Sequence, residues 1–229
     1  MSSVTAKNPF HFVTQTSLVE LTGLRARELY ELLAHLKEVP GSVIYHHTHH
    51  FLRQHQFLSP EPPNDFAYWV TNVLQEDRLG EQLAAIDTVR FPSLKLLREA
   101  LVGTIERYLA KGRSTRVAPE GEEFHFMKAR SFVLETPYVV STLEEFLEAV
   151  QKVSLNSLYH HIFEARLRLE KGTNDFSKWL ETELGETALA KTIARLDPYT
   201  QTLDGLRQKI VRLVRVRLGE RPQEVAHAS

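Results

Sequence analysis

The chain repeats itself, and that constrains its fold more than any single motif. Residues 10–47 match residues 124–161 without a gap at an offset of 114, with thirteen of the 38 positions identical. Phe10-His11-Phe12 returns as Phe124-His125-Phe126, and Tyr45-His46-His47 as Tyr159-His160-His161. The match resumes at an offset of 110, where Asn64-Asp65-Phe66 and Trp69 become Asn174-Asp175-Phe176 and Trp179. At an offset of 109, Leu97-Arg98 pairs with Leu206-Arg207. A unit of about a hundred residues is too long for a solenoid repeat and has the size of a small domain. The expected organisation is a first repeat at 10–109, a linker at 110–123, a second repeat at 124–218 and a flexible tail at 219–229. Gly112, Pro119, Gly121 and the charges around them suit a linker and not a core element.

Within each repeat the hydrophobic spacing predicts mainly helix. Phe10 to Val13 and Phe124 to Met127 alternate in the manner of a short strand or extended arm, and Phe132-Val133-Leu134 continues the extended tendency. Leu29, Leu32, Leu33 and Leu36, and their counterparts Leu143, Phe146, Leu147 and Val150, fall at i, i+3, i+4 and i+7, one face of a helix. Ser141 followed by Glu144 reads as a capping box. Pro40-Gly41-Ser42 and the polar run Ser154 to Ser157 break that helix, and a second one carries the histidines. Asn64-Asp65 and Asn174-Asp175 suit the N-caps of a short helix bearing Phe66 and Trp69, or Phe176 and Trp179. Ser93 and Thr202 open a last long helix. The expected class is therefore mainly α: two similar units, each an extended arm followed by about four helices.

Composition narrows the function. Twenty-eight basic against 29 acidic side chains leave a net charge of -1, which gives no pull toward nucleic acid or anionic lipid. The absence of cysteine removes disulfides, thiolate metal sites and cysteine nucleophiles together. Neither a signal-peptide core nor a run of about 20 apolar residues is present, so the expectation is a soluble cytoplasmic protein with no membrane partner. Phosphate-binding glycine loops, dinucleotide fingerprints and nucleophile elbows are missing too.

The histidines are the unusual feature. Seven of the eleven lie in two short windows: His46, His47, His49, His50 and His55, then His160 and His161. On a helix His46 and His50 share a face at i, i+4, and His47 lies three residues from His50. By the duplication, His46, His47 and His50 correspond to His160, His161 and Glu164. Imidazole and carboxylate suit Zn, Fe or Mn. Six side chains on paired helices at a pseudo-twofold interface would hold such a divalent metal, with activity on a small polar substrate. Asp65 and Asp175 would add oxygen ligands or orient a histidine, with Tyr45 and Tyr159 beside them. The alternative is a non-enzymatic regulatory or protein-interaction module in which the histidines are structural.

The run Tyr45-His46-His47-Thr48-His49-His50-Phe51, followed by Pro60-Glu61-Pro62-Pro63-Asn64-Asp65-Phe66-Ala67-Tyr68-Trp69, resembles a prokaryotic domain family of unknown function. The resemblance extends to Asp175-Phe176-Ser177-Lys178-Trp179 and Leu196-Asp197-Pro198-Tyr199 and covers nearly the whole chain. It implies no activity, cofactor or catalytic residue. The order of histidine helix, short Trp helix and long helix is loosely similar to zinc-binding bundles of bacterial chemoreceptors. Those use a cysteine and a late His-x-x-x-His, and this chain has neither.

Overall fold

A computed structural model describes residues 4–54, 64–88, 90–112, 114–165, 173–196 and 202–220, excluding the side chains of 50–54. His50 and His55, the Pro-rich loop before Asn64, and the motif residues Asp197 to Tyr199 therefore lie outside the described side chains.

The expectation of a mainly helical class is corrected by two long strands. β1 spans Phe10–Ala26 and β2 spans Phe124–Val140, each of 17 residues, and they form a two-stranded antiparallel sheet. The chain is mixed α and β. Val and Phe recur in both strands and Thr in β1, and all three favour the pleated backbone. Alternation of apolar and polar residues is kept only near the strand ends, where one face is buried. In the middle Leu18, Val19 and Leu21, and Phe132, Val133 and Leu134, are all exposed, so the two-residue period that reveals a strand is lost there. Pro137 is tolerated because each strand of a two-stranded sheet is an edge.

The helices follow the repeat. The first repeat has α1 (Leu29–Glu38), α2 (Gly41–Gln54), α3 (Asp65–Asn72), α4 (Asp77–Ala84) and α5 (Leu94–Leu109). In the second, α6 (Leu143–Lys152) is followed by α7 (Leu155–Tyr159), a wide π-turn segment (His160–Glu164), α8 (Asp175–Thr182), α9 (Thr187–Ala194) and α10 (Leu203–Leu218). Asn64 accepts from the Ala67 amide and Asn174 from the Ser177 amide, so both asparagines are the caps of α3 and α8. The capping box of α6 uses Thr142 and Glu145, one residue along from the expected Ser141 and Glu144.

Residues group into two compact units that do not coincide with the two repeats. The α1–α5 unit comprises described residues 17–54 and 64–132, and so includes the start of β2. The α6–α10 unit comprises residues 4–16 and 133–220, and so includes the start of β1. Each unit thus combines the helices of one repeat with the Phe-His-Phe arm of the other.

In the α1–α5 unit, α1 packs on α5 and α3 on α4, and Leu29, Leu32, Leu36, Phe66, Leu101 and Ile105 form a core that also takes in Phe124 and Phe126. The α6–α10 unit packs α6 on α10 and α8 on α9. There Phe10 lies 5.5 Å from Phe176 and 5.6 Å from Trp179, centroid to centroid, and Phe12 is 5.8 Å from Phe146. Full burial of each Phe contributes about 2–3 kcal/mol.

Polar contacts repeat as well. Trp69 Nε1 donates to the Glu122 carbonyl at 2.8 Å and Trp179 Nε1 to the Asn8 carbonyl at 2.9 Å, positions again 114 apart. Arg98 donates to the Lys37 and Val39 carbonyls at the end of α1; Arg207 does the same for Gln151 and Val153 at the end of α6. The turn before α4 needs a left-handed residue in both copies: Gly185 at φ 69° in one, Gln75 at φ 55° in the other. Glycine adopts that conformation freely and glutamine does not.

Candidate functional site

His46 and His47 sit on the buried side of α2, and His160 and His161 lie in the π-turn segment; all four are almost wholly buried. Within the α1–α5 unit His46, His47 and Asp65 bring potential ligand atoms within 4.8 Å of one another. In the α6–α10 unit His160, His161 and Asp175 do the same. Two His/Asp groups that could hold a metal ion are therefore present among the described residues.

The hydrogen bonds of the second histidine in each pair define its chemistry. His47 Nδ1 lies 2.8 Å from Asp65 Oδ2, and its Nε2 accepts the Met127 backbone N–H at 2.9 Å. His161 Nδ1 lies 2.9 Å from Asp175 Oδ2, and its Nε2 accepts the Val13 N–H at 2.9 Å. A nitrogen that accepts an N–H is unprotonated, so Nδ1 carries the proton and donates it to the carboxylate. Both rings are neutral, in the same tautomer, with both nitrogens committed. Alternate amides of an edge strand have no ladder partner, and Val13 and Met127 find theirs in an imidazole. Each ring also packs on the arm it holds: His47 is 4.7 Å from Phe124 and His161 is 4.9 Å from Phe10.

His160 is different. Its Nδ1 is 2.7 Å from Gln15 Oε1 and 3.3 Å from Glu164 Oε2, while the Gln15 amide nitrogen donates to Glu164 Oε1. The amide oxygen facing His160 can only accept, so Nδ1 again bears the proton. The remaining nitrogen, Nε2, is buried without a hydrogen-bond partner. Wide π-turns frequently mark functional positions, and this one carries both histidines.

Sequence reasoning singled out the histidines and treated Asp65 and Asp175 as ligands, orienting groups or caps. In the structure the neighbouring asparagines cap the helices and the aspartates bond the histidines. Glu164 joins the Gln15 and His160 network, Tyr45 stacks on His49 with centroids 5.2 Å apart, and Tyr159 packs on Phe163. Gln15 and the amides of Val13 and Met127 were missed. No motif betrays a backbone amide, though Val13 and Met127 do stand at equivalent places just after the repeated Phe-His-Phe. His11 and His125 are exposed.

Fold and site together define a duplicated α and β protein whose arms are exchanged between repeats and held by paired histidine–aspartate contacts. The chain belongs to DUF5752, a family of unknown function whose model matches residues 7–215. Among solved structures it is similar to OrfY from Thermoproteus tenax, with 32% identity over 93% of this chain and 96% of that one, at a TM-score of 0.79. No curated protein matches it. None of the described helices is long and apolar enough to cross a membrane.

Proposed function

We propose that this is a non-enzymatic regulatory or interaction module in which the two histidine–aspartate pairs are latches on the exchanged arms. One observation carries the reading: His47 and His161 spend Nε2 on a strand amide and Nδ1 on a carboxylate, which leaves neither a lone pair for metal nor a base for catalysis. A divalent ion binding either ring would have to displace its strand amide, so metal capture and arm docking compete. The test is elemental analysis of protein purified without an affinity tag, followed by zinc titration with amide exchange read at Val13 and Met127. The latch reading expects less than about 0.2 equivalents of transition metal as isolated, and arm amides that lose protection if zinc is forced on. Stoichiometric metal bound with both amides still protected would overturn it.

A second reading is favoured by the bare Nε2 of His160. Here Zn, Fe or Mn binds in the α6–α10 unit through that nitrogen, with Asp175 or Glu164 as the oxygen donor and His161 left on its strand. His160→Ala would then abolish metal binding without changing exchange at Val13. Unaltered metal content in that variant would remove the reading.

A further inference from the structure

We propose that a cleft in the α1–α5 unit, between the start of α4 and the end of α5, binds the phosphate group of a small molecule. The cleft has a volume of about 220 Å³ and is lined by Glu76, Arg78, Tyr108, Lys111, Gly112 and Ser114. Among the described residues Glu76 forms an ion pair with neither cation. Its two oxygens accept the Tyr108 hydroxyl at 2.5 Å and the Ser114 hydroxyl at 2.6 Å, and neither Arg78 nor Lys111 makes an ion pair among the described residues. Arg116 stands close by, donating to Gln75 Oε1 at 3.1 Å.

The second repeat supplies an internal control. Glu186 occupies the place of Glu76, but there Arg217 occupies the place of Tyr108 and pairs with Glu186 at 2.6 Å. Ala188 replaces Arg78, and Glu220 replaces Lys111. The same scaffold position is thus closed by an internal ion pair in one repeat, and in the other is lined by two unpaired cations. The first repeat also keeps Gln75 at the left-handed turn where the second uses Gly185, and the glutamine side chain is what holds Arg116 at the rim.

Two cations that line one cleft without an ion-pair partner match a doubly charged tetrahedral group better than a single carboxylate. The volume leaves room for the phosphate and a body of a few heavy atoms.

Calorimetric titration of the full chain with inorganic phosphate and with pyrophosphate, at constant ionic strength set by chloride, tests the proposal. Saturable binding is expected, weakened about tenfold by Arg78→Ala and by Lys111→Ala, and unaltered by Lys95→Ala, an exposed charge elsewhere on α5. All three positions are exposed, so folding should survive, and far-UV circular dichroism verifies it. Absence of saturable binding by either anion would overturn the proposal, as would binding that both cleft variants retain in full.

Discussion

The Met127 amide donates to Nε2 of His47 at 2.9 Å, joining residues 80 apart in sequence, while Asp65 holds the far side of the same ring. Removing the imidazole leaves a strand N–H without an acceptor, an aspartate without its donor and a hole beside Phe124. His47→Ala should therefore lose about 3 kcal/mol in urea unfolding, with amide exchange at Met127 raised more than at Val13. His161→Ala should show the mirror-image pattern. Equal effects on both amides in both variants would contradict the idea of separate latches.

Arg98 and Arg207 close the ends of α1 and α6 through backbone carbonyls, and the Nε of each is buried without an acceptor. The helix ends need the planar fork, since one guanidinium serves two carbonyls at once. Alanine at either position should cost about 2 kcal/mol of unfolding free energy, and lysine should recover less than half. Full recovery by lysine would show that charge alone suffices.

Asn8 donates its backbone amide and its side-chain amide to Glu183, both at 3.0 Å, and these bonds hold the Glu183 carboxyl below its ordinary value of 4.5. A depressed carboxylate stabilises the fold above its unfolded value and ceases to do so as pH falls through the folded one. The contact between Asn8 and Glu183 should therefore persist to below pH 4.5 and then open. The Asn8 amide resonance, or Trp179 fluorescence in a Trp69→Phe background, reports the step. A midpoint at or above the ordinary value would refute it.

Gly80 lies where a Cβ would collide with the Thr71 hydroxyl and come within 3.1 Å of Thr71 Cβ. Its repeat partner is Ala190, and the partner of Thr71 is Glu181. Gly80→Ala should destabilise by about 1–3 kcal/mol despite the better helix propensity of alanine. Adding Thr71→Ala should restore part of the loss, and a stabilised single variant would disprove the clash.

Much of this was legible in the residues and some was not, for physical reasons. The helix faces of α1 and α6 are amphipathic with a strong period, so Leu29 to Leu36 and Leu143 to Val150 announce themselves. Asn64, Asn174, Ser93 and Thr202 act locally, through a side chain and an amide three residues on, and local chemistry can be read from spacing. Phe132-Val133-Leu134 reads as extended, but the strands could not be read to their full length, because residues such as Leu18 and Val19 face solvent without a period. Nor does any pattern distinguish an arm folded on its own repeat from one given to the other. The aromatic match between Phe10 and Phe176, and between Phe124 and Phe66, satisfies either arrangement. The histidines were found, but their tautomers depend on amides that are invisible in a sequence.

The exchange of arms also dictates an order of events during synthesis. The α1–α5 core cannot close until Phe124 and Phe126 have left the ribosome, and Phe10 and Phe12, made ahead of both, must wait for α6 to α10. Translation alone therefore cannot deliver the amino-terminal half as a finished module ahead of the rest. Nascent chains that end before Phe124 should carry uncovered aromatic pockets and depend on holding factors until the missing segment arrives.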